Sequence, residues 1–194
     1  MKLKKPKFWD YKKPNIYAYL LYPIALLIKI LNSVKAKLKS KEKTKIKTIC
    51  VGNIYLGGTG KTSLTLKLNE IFNKKKIKTC LIKKFYKNQY DEHKILGKKG
   101  KLFLSNIRLN ALKEAEQKNY QIAIFDDGLQ DLSIEYHVNL VCFNSINWVG
   151  NGMTIPSGPL REDLNSIKKY KNVIINGNLE NSEEIKYQIL KIDK

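Results

Sequence analysis

Lys61 and Thr62 are the residues whose neighbours give them chemistry to do. They follow Gly57, Gly58, Thr59 and Gly60, and that turn itself follows a short apolar run, Ile49, Cys50 and Val51, closed by Gly52. Behind them Leu64, Leu66, Leu68, Ile71 and Phe72 set a helical pattern. The order predicts a strand, a loop of bare amides and a helix. Such a loop gathers backbone N–H groups at a helix N-terminus, a concentration of partial positive charge that suits a polyphosphate. Tyr55, Leu56, Gly57, Gly58, Thr59, Gly60, Lys61 and Thr62 are therefore the expected ATP-binding residues. Lys61 would reach the β- and γ-phosphates and the Thr62 hydroxyl would ligate Mg²⁺. One departure from the G-x-x-x-x-G-K-[ST] spacing is plain: Tyr55 stands where the first glycine is usual.

Two further groups of acids could complete a phosphoryl-transfer site. Asp126 and Asp127 end the apolar run 121–125, the arrangement expected of the acid that holds Mg²⁺ directly or through water. Adjacent carboxylates are costly unless a cation offsets them. Asp91 and Glu92 end a polar, basic loop at 83–90, and a carboxylate there could orient an acceptor hydroxyl and take its proton. His93 and His137 have no partners in sequence and read as surface or structural residues.

The elements that must position these groups read as α/β. Strands are expected at 78–83, 101–105, 121–125, 138–143 and 172–176, besides the one before the glycine-rich turn. A helix is expected over 106–117 with Asn106 as its N-cap. Residues 144–159 form a long loop, with Pro159 at a first helical position. Strands apolar throughout, alternating with helices, indicate a mostly parallel sheet covered on both faces, a P-loop NTPase-like three-layer sandwich. Ligands of such sheets gather at the carboxyl ends of the strands, where these motifs fall. The 194 residues suffice for one full α/β domain. We expect it over residues 46–194, behind an N-terminal segment over 1–45.

That segment is basic over 1–13, apolar over 16–28 and basic again over 35–47. The apolar run is shorter than the roughly 20 residues of a spanning helix. It predicts a helix, or a pair bent at Pro23, lying in a membrane interface with lysines on anionic headgroups; the competing reading is a helix packed on the domain's own core. The net charge of +20 draws the protein towards anionic partners in general. No nucleic-acid motif is present. Cys50, Cys80 and Cys142 each fall inside an expected strand and read as small buried apolar residues.

Taken together, Val51-Gly52-Asn53, the Gly57–Thr62 turn, Asp91-Glu92, Asp126-Asp127-Gly128-Leu129-Gln130, Gly150-Asn151-Gly152 and Pro156-Ser157-Gly158-Pro159-Leu160-Arg161-Glu162 resemble, in order, the tetraacyldisaccharide 4'-kinases. The resemblance covers most of the chain, to about residue 177. It implies a monotopic enzyme at the cytoplasmic face of the inner membrane, moving the γ-phosphate of ATP to the 4'-hydroxyl of an acylated disaccharide 1-phosphate in lipid A biosynthesis. It further implies that Lys61 and Asp91 are catalytic and that Thr62, Asp126, Asp127 and Glu162 serve Mg²⁺. Tyr86 and Arg161 would meet a substrate phosphate.

The sequence departs from the family pattern in four places. Asp131 replaces a usual histidine, and Lys84-Phe85 replace a glycine-rich turn before the tyrosine. The segment from there to the Asp-Glu pair is short, and family members continue into a C-terminal domain that supplies a histidine partner to the catalytic acid. Two alternatives stay open: a non-catalytic membrane-associated ATP-binding relative, and a P-loop ATPase acting on nucleic acid.

Overall fold

The computed structural model describes residues 5–193; residues 1–4 of the basic N-terminal segment, and residue 194, lie outside the described residues. Helix α1 (Ile16–Leu38) is followed by strand β1 (Lys47–Gly52), helix α2 (Lys61–Lys74), strand β2 (Thr79–Lys84), helix α3 (Tyr90–Lys99) and strand β3 (Leu102–Ser105). Then come helix α4 (Arg108–Gln117), strands β4 (Ile122–Asp126), β5 (Val138–Asn144) and β6 (Asn172–Asn176), and helix α5 (Leu179–Asp193). Short 3₁₀ turns lie at Lys7–Asp10 and Leu164–Lys169. The order across the sheet is β3-β2-β4-β1-β5-β6. All six expected strands are present.

The chain forms two compact units that interleave in sequence. One comprises Met1–Lys39, Asn53–Thr59 and Cys142–Lys194, the other Ser40–Gly52 and Gly60–Val141.

In the second unit β4 lies between β1 and β2 and runs parallel to both. Neighbouring residues of a strand face opposite sides of a sheet, so a strand buried end to end must be covered on both faces. β1 is buried from Thr48 to Gly52, β2 from Thr79 to Lys83 and β4 from Ala123 to Asp126. Helix α2 packs against β1, β2 and β4, and α4 against β2 and β3. The three cysteines are free thiols buried in β1, β2 and β5, as their apolar settings predicted.

Three local expectations need correction here. Residues 83–90 are not a loop that runs into the acids. Lys83 and Lys84 belong to β2, and Asp91 and Glu92 lie in the first turn of α3, where negative charge suits the helix dipole. Helix α4 starts at Arg108 with Ile107 at its N-cap position and no side-chain cap, so Asn106 does not cap it; the Ser105 hydroxyl accepts the Ile107 N–H at 3.2 Å in the turn before it. In the first unit Pro159 opens no helix. Its carbonyl accepts the Leu56 N–H at 2.8 Å, and the next regular turn begins at Leu164, capped by Asp163.

The first unit holds α1, which continues through Pro23 as one helix of 23 residues, its first turn capped by Asn15 accepting the Ala18 N–H at 3.1 Å. The helix is therefore longer than its apolar core suggested, and by length and composition alone it meets the requirement for crossing a bilayer. Only Ala18 and Ala25 on it are buried, two turns apart on one stripe; Ile16, Leu20, Leu27 and Leu31 are exposed. That placement removes the reading of α1 as a core helix. Tyr22, Leu26 and Lys29 line a small cavity with Gly152, Met153, Thr154 and Asp163, and Lys29 pairs with Asp163 at 3.1 Å.

Candidate nucleotide-binding site

In the second unit, β1 and β4 are neighbours in register, with Val51 opposite Asp126, so the strand that feeds the glycine-rich turn ends beside the strand that ends in acids. Gly52 allows this closeness. A side chain there would strike Leu129 of the Asp-Asp-Gly-Leu-Gln segment, whose Cγ lies 2.6 Å from the position a Cβ would take. Helix α2 then starts from Gly60, which sits at φ 77, a conformation glycine adopts without strain. No side chain caps that helix, which leaves its first amides available to an anion. Lys61, half-buried, makes no hydrogen bond or ion pair among the described residues.

Thr62 and Thr65, from the first turns of α2, both face the fully buried Asp126. The Thr62 hydroxyl donates to the carboxylate at 3.2 and 3.4 Å from its two oxygens, and Thr65 reaches Oδ1 at 3.4 Å. A buried carboxylate needs a cation, and the one present is Lys83. It sits opposite Asp126 in the neighbouring strand with Nζ 2.6 Å from Oδ2. Lys83 is 2% exposed, and burial alone would lower its pKa. Asp126 and Glu92, which also lies 2.6 Å from Nζ, outweigh that and hold it above the ordinary lysine value. Glu92 thus ties the start of α3 to Lys83 near the end of β2, and through it to Asp126. Asp91, one residue earlier, is exposed and makes no hydrogen bond or ion pair among the described residues.

Beyond Asp126 the chain turns sharply. Asp127 has φ 64, its N–H donates to the Val51 carbonyl at 2.8 Å, and its own carbonyl accepts from the buried Arg108. Arg108 also pairs with Asp131 at 3.4 Å, the residue that stands where the resemblance expects histidine. The two histidines are structural. His93 is buried with its ring stacked on Phe85 at 5.6 Å, and His137 Nδ1 lies 2.9 Å from the Thr48 hydroxyl.

Thr62 and Asp126 suit Mg²⁺ in chemistry and spacing. Both offer hard oxygen atoms, and a separation of 3.2 Å matches adjacent corners of an octahedron with arms of about 2.1 Å. Among the described residues no cluster of three or more acids, histidines or cysteines forms a metal cage, so phosphate and water oxygens would have to complete the shell.

In the first unit, residues 53–59 are held from several sides. Asn53 Nδ2 donates to the Gly57 carbonyl at 3.2 Å and to the Thr59 hydroxyl at 3.0 Å, and Asn176, at the end of β6, donates to the Thr59 carbonyl at 2.6 Å. The Pro156–Glu162 block lies alongside: Arg161 donates its N–H to the Ile54 carbonyl at 2.6 Å, and Tyr55 bridges to Leu160. The Tyr55 side chain is buried and turned to the N-terminal segment, where its hydroxyl donates to Asp10 at 2.8 Å and accepts from Lys5. Any bond from Tyr55 to a nucleotide would therefore come from its backbone. Trp9 and Asn151 brace the same region, Trp9 Nε1 donating to the Pro156 carbonyl at 3.0 Å and Asn151 Nδ2 to the Ser157 carbonyl at 2.9 Å. Glu162 accepts the Tyr170 hydroxyl at 3.0 Å on each oxygen.

The profile of the tetraacyldisaccharide-1-P 4'-kinase family, LpxK, matches residues 17–193. The chain belongs to this family. It is 55% identical over 193 residues to the tetraacyldisaccharide 4'-kinase of Pelagibacter ubique, which covers 100% of this chain and 61% of that protein. With the Rickettsia akari kinase the identity is 34% over 181 residues, covering 85% of this chain and 55% of the relative. The chain thus spans a little over half the length of the curated relatives it matches. Among solved structures, LpxK from Aquifex aeolicus, crystallised in complex with ATP, superposes with a TM-score of 0.69 at 21% identity, over 83% of this chain and 59% of that one, which confirms the α/β fold.

Set against the LpxK motifs, the structure brings Thr62 and Asp126 together and places Asp91 one residue from the Glu92–Lys83 link. Tyr86 is exposed just after β2, and Arg161 and Glu162 lie in the first unit. The sequence reading missed Lys83, Arg108, Asn176 and the Tyr55 anchor. Lys83 left one signal: a lysine inside an otherwise apolar strand must find an acid if that strand is buried.

Proposed function

We propose that this chain is an ATP-dependent lipid kinase that transfers the γ-phosphate of ATP to the 4'-hydroxyl of an acylated disaccharide 1-phosphate. The observation that carries the reading is the Thr62–Asp126 pair beside the uncapped start of α2, with Lys61 unengaged at its first position. The amides of residues 55–60 and the Lys61 ammonium hold the triphosphate. Thr62 and Asp126 would hold Mg²⁺, with Asp127 as a further oxygen ligand. When bound, the ion draws negative charge from the phosphate oxygens. Asp91 orients the acceptor hydroxyl and takes its proton. Its exposure and lack of a competing partner suit that work, and the Glu92–Lys83 pair fixes the helix that carries it. Tyr86, exposed just after β2, meets a substrate phosphate.

The acylated substrate places the protein at a membrane. We assign α1 to lie in the interface at the cytoplasmic face, with its exposed leucines and isoleucines among acyl chains and the surrounding lysines on anionic headgroups. The pairing of Lys29 with Asp163 and the burial of Ala18 and Ala25 hold one stripe of α1 to the protein, which favours lying over crossing.

The test is incubation of the protein with labelled ATP, MgCl₂ and tetraacyldisaccharide 1-phosphate in detergent. Label should pass to the lipid, and Lys61→Ala and Asp91→Ala should each lower the rate by about 10²–10³. Nucleotide binding with no transfer in the wild type would establish the non-catalytic alternative instead.

A further inference from the structure

Lys83 holds a position that a phosphate-binding loop does not require. A single carboxylate, that of Asp126, receives both the Thr62 hydroxyl and an ammonium, each nearest Oδ2, at 3.2 and 2.6 Å. The ammonium does not come from a mobile surface chain. Its Cα is fixed opposite Asp126 in a parallel pairing that runs from Thr79↔Ile122 to Lys83↔Asp126, its side chain is buried, and Glu92 holds it from the far side at 2.6 Å. Part of the charge of Asp126 is therefore offset before any ion arrives, Glu92 taking a share of the same ammonium. A divalent ion drawn to the same carboxylate would meet a positive charge already bonded to it, in a site with little water to screen the two. The acid has correspondingly less attraction left to give.

We propose that Lys83 is a resident cation of the nucleotide site: it balances Asp126 in place of much of the divalent ion's contact, so that this chain binds a nucleoside triphosphate with weak dependence on Mg²⁺. The inference rests on the assignment of the glycine-rich loop to ATP. It concerns binding, and leaves the metal's part in phosphoryl transfer as described above.

The experiment measures ATP affinity of the full chain in detergent by calorimetry, in buffer with MgCl₂ and in buffer with EDTA. The wild type should lose less than about tenfold in affinity on metal removal, and Lys83→Arg, which keeps the charge, should behave alike. Lys83→Met leaves Asp126 unbalanced and should lose about 100-fold or more in EDTA, with recovery in MgCl₂. A thermal scan with MgCl₂ alone supplies a second readout, because the ion should raise the melting temperature of Lys83→Met and leave the wild type nearly unmoved. The wild-type comparison decides the matter even where Lys83→Met fails to fold. ATP binding that collapses by about 100-fold in EDTA in the wild type overturns this role for Lys83 and leaves the kinase reading standing. No ATP binding in either buffer overturns both.

Discussion

The Asp126 carboxylate has no water to fall back on. Its stability comes from Lys83 and two threonine hydroxyls, and removing one partner of a buried ion pair typically costs about 3–5 kcal/mol because the other charge is stranded. Asp126→Ala should therefore lower the unfolding free energy by about that amount in a urea titration. Lys29→Ala breaks a pair whose side chains are 55% and 40% exposed, and should cost less than about 1 kcal/mol. Equal losses would mean that burial is not what separates the two pairs. Burial also pushes the Cys80 thiol up to about 12 and raises that of Cys50 further, since a dry site disfavours the thiolate. A thiol-reactive reagent at pH 8 should thus leave all three cysteines unlabelled in the folded protein and label all three in denaturant. At this scale a local pattern singled out Thr62 and Asp126, and the fold brings their side chains together. The sequence hid Lys83 and Asn176, because their partners lie 43 and 117 residues away in sequence.

Elements were legible wherever one face or both had to be apolar. The buried strands announced themselves as short runs of Ile, Val, Leu, Phe and Cys, and the glycine-rich turn marked the start of α2. Helix α3 went unread because it buries only His93 and Leu96, so its ten residues carry too little apolar period to see. Helix α4 starts two residues after the expected cap, with Ile107 at the N-cap position and no side chain capping it, a reminder that Asn106 is a capping residue by preference only. Gly52 joins two of these elements and gives a direct test of their packing. Gly52→Ala inserts a methyl group into the Leu129 side chain and should destabilise the protein by about 1–3 kcal/mol, read from chemical denaturation. Gly58→Ala meets no atom within 4 Å and should leave the stability nearly unchanged.

At the scale of the molecule, charge and apolar surface act together. The chain carries +20, and α1 exposes leucine and isoleucine along most of its length. Charge attraction is screened by salt within about 8–10 Å near physiological ionic strength, whereas burial of apolar side chains in a lipid interface is not. Sedimentation with anionic vesicles should accordingly weaken in high salt without vanishing. Leu20→Ser together with Leu27→Ser should remove the residue that survives salt, with no fall in melting temperature, because both positions are solvent-facing in the fold. Neither α1's length nor its single buried stripe was visible beforehand, since Pro23 and the lysines beyond residue 28 masked a helix that runs to Leu38.

Tyr55 carries one last implication. Where a glycine would leave the glycine-rich turn indifferent to what precedes it, this phenol makes residues 5–10 a strut: cleave the chain between Asp10 and Asn15, and the hydroxyl loses both Lys5 and Asp10 while its ring stays wedged against Gly57. A nick there would then loosen the packing around residues 53–59 from 45 residues away in sequence.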